Sequence, residues 1–201
     1  MLTINKKYTS SALNVLKKKC KQNEPFPHVV IPHLFDEKEA EALHSALKAQ
    51  TFEEKRSDLF LFHQTQDLAY SKNEIIQNFH KTISSKHFFD FIESITGFKP
   101  TSVDLFGSKY LDTNFLLPHD DQLEGRKIAY IYYLTKDFLE KDGGTLDLFN
   151  SEKNKPTTIS ESFVPTINTL ILFEVSKKSF HQVSEVLSDK ERLAIGGWFH
   201  D

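Results

Sequence analysis

Residues 127–149 read KIAYIYYLTKDFLEKDGGTLDLF, and this stretch decides the fold. Two β-rich runs, Lys127–Leu134 and Thr145–Phe149, flank the turn signal Asp142-Gly143-Gly144. The same texture extends outward to Val103–Tyr110, Thr169–Val175 and Arg192–Phe199, punctuated by Glu124-Gly125, Lys155-Pro156 and Ser188-Asp189. No helix-length pattern separates these runs. A doubly wound α/β sheet is thereby excluded, because parallel strands need a crossover helix between them. The pattern predicts an α+β protein with an antiparallel double sheet of the jelly-roll, or double-stranded β-helix, kind.

Upstream of residue 100 the period changes to helical. Leu13, Leu16 and Cys20 share one face of a helix over Thr9–Gln22. A short strand, His28–Ile31, ends at Pro32. Asp36 and Glu39 have capping-box spacing ahead of a helix carrying Leu43, Ala46 and Leu47. Further helices are expected over Glu74–Ser84 and Lys86–Thr96, the second closed by Gly97. Residues 1–201 thus read as a single domain, with 1–100 a mainly helical support layer packed on one sheet and 101–201 the β core. Phe52–Tyr70, long and rich in polar residues, reads as a flexible lid.

Composition narrows the function classes. The 201 residues include 18 Phe, which suits a broad sheet-packed core, and the formal charge is −3. That balance weighs against a protein that binds nucleic acid by blanketing phosphates, and no direct nucleic-acid contact is expected. Lys17, Lys18 and Lys19 read as a solvated helix face. One cysteine, Cys20, permits no internal disulfide and suits a reducing, cytoplasmic setting. No apolar run has the length of a membrane span. The oligomeric state is left open.

His119-Asp120-Asp121 is the first chemical signal. On an extended segment, residues i and i+2 project to one side, so His119 and Asp121 can share a metal while Asp120 points away. His181, 60 residues beyond Asp121, supplies a third ligand. Two imidazoles and a carboxylate, with no thiolate, suit non-haem iron(II) with open positions for a bidentate co-substrate and O₂. Six other histidines, His28, His33, His44, His63, His80 and His87, lack a spaced carboxylate and read as surface or satisfied core residues; His200 has no assigned role.

Arg192 raises the weak H-x-D signal. It opens an alternating strand whose one face is Arg192, Ala194, Gly196 and Trp198. A lone cation on a buried strand is costly, and small residues beside it leave room. A guanidinium at a pocket base calls for a carboxylate; 2-oxoglutarate meets that need, its 2-oxo acid end chelating iron. Tyr133, sharing a face with Ala129 and Ile131, can offer its hydroxyl to the same carboxylate. Leu146 and Leu148 are expected to line the pocket.

These motifs resemble a known family. His119-x-Asp121, Gly125-Arg126 with Ile131-Tyr132-Tyr133-Leu134, Gly143-Gly144-Thr145-Leu146, His181-x-Val183 and Arg192-x-Ala194-Ile195-x-x-Trp198 are similar to the prolyl-hydroxylase branch of iron(II)- and 2-oxoglutarate-dependent oxygenases. The stretches Ser108-Lys109-Tyr110, His119 to Arg126, Gly143 to Phe149 and Ser179 to Leu187 resemble its ribosomal subgroup, as do Asp58-Leu59-Phe60 and Gln64 to Leu68. The resemblance spans about residues 26 to 200. It implies iron on His119, Asp121 and His181, and the distal carboxylate of 2-oxoglutarate on Arg192 and Tyr133. It places Tyr110 near the iron-chelating end, and Trp198, Val183, Ile131 and Leu146 around the pocket. It also implies O₂ as co-substrate, ascorbate as reductant, and a protein substrate, a small-subunit ribosomal protein near the decoding centre. Eukaryotic members carry a second, non-catalytic domain, so the resemblance is to the catalytic domain alone. Competing readings are the same chemistry on a free amino acid, another small molecule or a nucleobase, and a non-catalytic binding module of the same fold. A metal phosphohydrolase built on His119-Asp120 is disfavoured, since such pairs sit on helices and Pro118 precedes this one.

Overall fold

Strict alternation along three central strands sorts the molecule into an outer, helix-covered layer and an inner cavity. A computed structural model describes all 201 residues. Its strands are β1 (His28–Pro32), β2 (Glu53–Ser57), β3 (Phe60–Gln64), β4 (Ser102–Val103), β5 (Phe106–Tyr110), β6 (Phe115–His119), β7 (Arg126–Tyr133), β8 (Leu146–Glu152), β9 (Lys155–Phe163), β10 (Thr169–Glu174), β11 (His181–Val183) and β12 (Arg192–His200). All pairings are antiparallel, in the order β1-β10-β7-β12-β5-β3-β6-β11-β8-β9, with β2 paired to β3 and β4 to β12.

On β7, Ile128, Tyr130 and Tyr132, and Leu134 just after it, face outward into the larger core; Ala129 and Tyr133 face inward. β10 and β12 repeat the rule with Leu170, Leu172, Leu193, Ile195 and Phe199 outward, and Ile171, Phe173 and Ala194 inward. Onto the outer face pack α1 (Ser10–Gln22), α2 (Glu37–Lys48), α3 (Glu74–Ile83) and α4 (Lys86–Thr96). Phe88, Phe91, Ile92 and Ile95 form the buried stripe of α4 at i, i+3, i+4 and i+7. Each such side chain contributes roughly 1.5–3 kcal/mol when fully buried. Gly97 ends α4 at φ 80°, a left-handed conformation that glycine adopts without a Cβ penalty. Phe35, Phe79 and Tyr132 meet ring to ring at centroid separations of 5.5–6.1 Å, so the phenylalanine wealth does serve a sheet-on-helix core. No helix is long and apolar enough to cross a membrane.

The sheet curls back on itself: Leu146 and Leu148 of β8 share an inner cluster with Phe173 and Ala194 from the other end of the strand order. This is the expected jelly-roll, and the helical segments fall within a residue or so of expectation. Four details differ. Phe52–Tyr70 is no lid: it holds the β2–β3 hairpin, and β3 pairs with β5 through His63 and Gln64 and with β6 through Phe60 and Leu61, so it joins the two walls of the curl. The first hundred residues therefore supply three strands as well as helices. Val103–Tyr110 is interrupted at Asp104-Leu105, where the Leu105 carbonyl accepts from Leu68 N–H. Glu39 does not complete a capping box. Asp36 accepts from Lys38 N–H at 2.9 Å, while the Glu39 carboxylate accepts from Thr3 N–H at 3.3 Å. Strands β6, β9 and β11 were not anticipated.

Candidate metal and co-substrate site

His119 closes β6 and His181 opens β11, and the two residues are directly paired across the ladder. That register, not local spacing, brings their rings to 4.2 Å between centroids. His119 Nε2 lies 3.4 Å from Asp121 Oδ1, and His181 Nε2 lies 3.3 Å from Asp121 Oδ2. The three ligand atoms fall within 4.8 Å of one another. Asp121 arrives by a different route from the one expected. Its φ is 60°, so the segment is not extended; a turn after β6 swings the carboxylate back toward the histidines. Asp and Asn tolerate that region better than most residues.

The orientation of each imidazole is fixed from behind. His119 Nδ1 donates to the Leu117 carbonyl at 2.9 Å, and His181 Nδ1 donates to the Ser179 carbonyl at 2.8 Å. A carbonyl only accepts, so Nδ1 carries a proton and Nε2 is the nitrogen that each ring turns toward Asp121 and can offer to a metal. Trp198 Nε1 donates to Asp121 Oδ2 at 3.1 Å. Asp120 is turned away, its carboxylate accepting from Gln122 N–H.

Electrostatics follow from these contacts. Burial alone would raise the Asp121 carboxyl, but hydrogen bonds from His119 and His181 and their charge hold it well below the usual carboxylate range. Burial alone would lower His119; the Asp121 hydrogen bond and charge, with the Leu117 carbonyl and Asp120, outweigh it and raise the imidazole. A divalent cation would take over the role those protons play. Two neutral nitrogen donors and one ionised carboxylate fit iron(II).

Arg192 is 1 % exposed. Its Nε donates to the Gly144 carbonyl at 2.7 Å and its Nη2 to the Tyr133 hydroxyl at 3.2 Å. The guanidinium lies 4.8 Å from the Tyr110 ring centroid and 5.1 Å from that of Tyr133. No carboxylate of the chain pairs with it. Gly143 and Gly144, at φ 66° and 62°, make this close approach possible: a Cβ on Gly144 would stand 3.1 Å from Arg192 Cδ. Burial raises the Tyr110 hydroxyl, with Arg192 opposing and Asp121 reinforcing, so Tyr110 feels both the cation and the metal-ligand end.

Tyr133, fully buried, is outside the cavity whose lining holds His119, Asp121, His181 and Arg192, with Tyr110, Ile131, Leu146, Val183 and Trp198 in its walls. Leu148 does not line the cavity; it is fully buried in the inner cluster with Phe26 and Phe173. Phe62 and Gln64 of β3, and Phe106 and Ser108 of β5, also line the cavity and were missed. The alternation in Phe60–Gln64 was the available signal. Arg126, of the Gly125-Arg126 motif, places its guanidinium 3.2 Å from the Trp198 ring centroid, clamping the indole that holds Asp121. His200 pairs with Asp104 at 2.9 Å. Cys20 is buried, which pushes its thiol up to about 11 and leaves it unreactive.

Comparison with known proteins gives a consistent picture. Residues 105–200 match the sequence profile of the 2OG-Fe(II) oxygenase superfamily. The chain is 42% identical over 182 residues to prolyl 3-hydroxylase OGFOD1 of Mus musculus, covering 88% of this chain and 33% of that protein. It is 35% identical over 196 residues to prolyl 3,4-dihydroxylase OGFOD1 of Ostreococcus tauri, covering 88% and 38%. It thus spans about a third of the length of these curated relatives. A Pseudomonas putida prolyl-4-hydroxylase superposes with a TM-score of 0.76 at 16% identity, covering 94% of this chain and 98% of the other. A Trichoplax adhaerens prolyl hydroxylase, solved with a hypoxia inducible factor peptide, gives 0.75 at 15%, covering 96% and 90%. At such identities these structures speak for the double-stranded β-helix fold alone.

Proposed function

Because this chain carries a 2OG-Fe(II) oxygenase domain, we propose that it hydroxylates a prolyl residue of a protein, at ring carbon 3. The observation that carries the chemistry is a buried guanidinium without a carboxylate partner, in one cavity with the His119, Asp121 and His181 ligand atoms. The prolyl assignment is supported by the 42%-identical relatives named prolyl 3-hydroxylase. The shared stretches around His119 and His181 favour a small-subunit ribosomal protein near the decoding centre as substrate. The single, buried cysteine fits a cytoplasmic setting.

The residues divide the work. His119, Asp121 and His181 would hold iron(II), with Trp198 restraining Asp121 by the indole N–H. Arg192, which lines the cavity, would hold the distal carboxylate of 2-oxoglutarate, with the Tyr133 hydroxyl bonded to its Nη2 as the second donor. Iron held there, together with 2-oxoglutarate and O₂, would supply the oxidising power to insert oxygen into a C–H bond. Ile131, Leu146, Val183 and Phe173 wall the space with hydrocarbon, excluding water from the reacting centre.

The test is succinate formation by the iron(II)-loaded protein, with and without a peptide from the decoding-centre protein, followed by mass spectrometry. A peptide-stimulated signal with a gain of about 16 Da on proline, one oxygen atom, is expected. Succinate without peptide oxidation would remove the ribosomal substrate and keep the oxygenase. No succinate at all would point to a binding module.

A further inference from the structure

The polar side chains of the cavity can be assigned almost completely. His119, Asp121 and His181 face one another; Arg192 and Tyr110 form the deep end; the Trp198 N–H is spent on Asp121. Ser108 Oγ leans on the Ala194 carbonyl at 3.5 Å. Gln64 is left over. It lines the cavity from β3, and its carboxamide makes no hydrogen bond within the chain, whereas the next glutamine, Gln66, is tied to Glu53.

We propose that Gln64 is a specificity residue that reads the main chain of the substrate beside the target proline. This inference rests on the prolyl-hydroxylase reading. The carbons of a proline ring bear no polar group and its nitrogen carries no hydrogen, so polar recognition close to the reacting carbon must go to neighbouring peptide groups. A carboxamide offers one acceptor oxygen and a donor NH₂ in a plane, the complement of a peptide group. Its position agrees. Gln64 pairs with Ser108, and Ser108 with Ala194, one pleat outward along β5 and β12 from the Tyr110–Arg192 pair. Arg192 and Tyr110 are buried while Gln64 is half-exposed, which sets it toward the entrance, where a peptide and not a small acid lies. Its neighbours in the wall, Phe62 and Phe106, present rings on which a pyrrolidine can pack. The group is neutral, so it adds nothing to the attraction of an anionic co-substrate.

Gln64→Met keeps the length and removes the amide. Calorimetry of 2-oxoglutarate binding to the anaerobic iron(II) protein is measured beside KM and kcat for the decoding-centre peptide. A second peptide carries an ester oxygen in place of the amide N–H that follows the target proline. Loss of one hydrogen bond worth about 1.4 kcal/mol raises KM about tenfold. The variant is expected to show that rise with 2-oxoglutarate affinity within about twofold of the parent. The ester should cost the parent protein a comparable factor and the variant nothing further. Weaker 2-oxoglutarate binding with unchanged peptide KM would overturn the inference and give the carboxamide to the co-substrate. An ester penalty equal in both proteins would overturn it as well. If the parent protein oxidises no prolyl peptide in a library while still making succinate, the prolyl reading itself falls, and this inference with it.

Discussion

Replacing Arg192 by methionine separates a guanidinium held for a ligand from one held for the fold. The side chain is 1 % exposed and its charge meets no carboxylate. An uncompensated buried charge costs on the order of 3–5 kcal/mol. Three terms oppose that relief: the Gly144 carbonyl and the Tyr133 hydroxyl each lose a donor, about 1 kcal/mol apiece, and the contacts with the Tyr110 and Tyr133 rings return about 1 kcal/mol. The net is a gain of roughly 0–2 kcal/mol for the ligand-free variant. For a chain of this size that is a rise in Tm of about 0–8 °C. The parent protein with iron(II) and 2-oxoglutarate at a hundred times Kd should gain about 2.7 kcal/mol, or roughly 5–11 °C. The variant should gain nothing from 2-oxoglutarate and make no succinate, yet keep its iron affinity. Anaerobic thermal scans with and without 2-oxoglutarate give all four values. A ligand-free variant destabilised by more than about 2 kcal/mol would refute the reasoning, because the guanidinium would then be a structural tie to Gly144.

Four further outcomes are expected. Trp198→Phe removes the hydrogen bond to Asp121 Oδ2 but keeps a ring under Arg126; iron affinity should fall by about tenfold or more, read by competition with a chelator. Metal must displace a proton from His119, whose pKa is raised in the metal-free protein; below that raised value, affinity should fall about tenfold per pH unit, measured by iron(II) titration from pH 8 down to 5.5. Gly143→Ala places a Cβ against the Glu185 carbonyl at a φ of 66° and should cost more than about 2 kcal/mol by denaturant unfolding. Asn168→Ala breaks buried hydrogen bonds with the Phe35 N–H, the Phe35 carbonyl and the Tyr132 hydroxyl; a loss of about 3 kcal/mol is expected, with the 2-oxoglutarate affinity of the folded fraction retained.

What could be read from the chain was whatever period and composition encode locally. β12 announced itself through alternation, and Arg192 through the oddity of a cation at the head of an apolar strand with small residues behind it. The helices were legible because their buried stripes and caps lie within a few residues of one another. The missed features are products of pairing between distant segments. β3 is flanked by polar residues, and only its register against Lys109 and Leu116 makes it a wall. Asp121 satisfied the expected function through a positive φ that spacing alone does not reveal. Leu148 shares the inward face of β8 with Leu146, but it is buried in the inner cluster with Phe173 and does not reach the cavity. Glu39 had the spacing of a capping box, and a neighbouring segment took its carboxylate.

The position of β12 in the strand order has a consequence for how the molecule comes into being. Arg192–His200 follows every other strand in the chain, yet it sits between β7 and β5. Until it docks, both neighbours present open, apolar edges capable of pairing with another molecule, and the two flanks of the sheet have no continuous ladder through this point. Folding is therefore expected to be slow and dominated by long-range pairing, and a chain interrupted before residue 192 should aggregate rather than persist as a weaker version of itself. The strand that delivers the cation to the pocket is also the one that zips the sheet, so assembly of the protein and arming of its site happen in a single step.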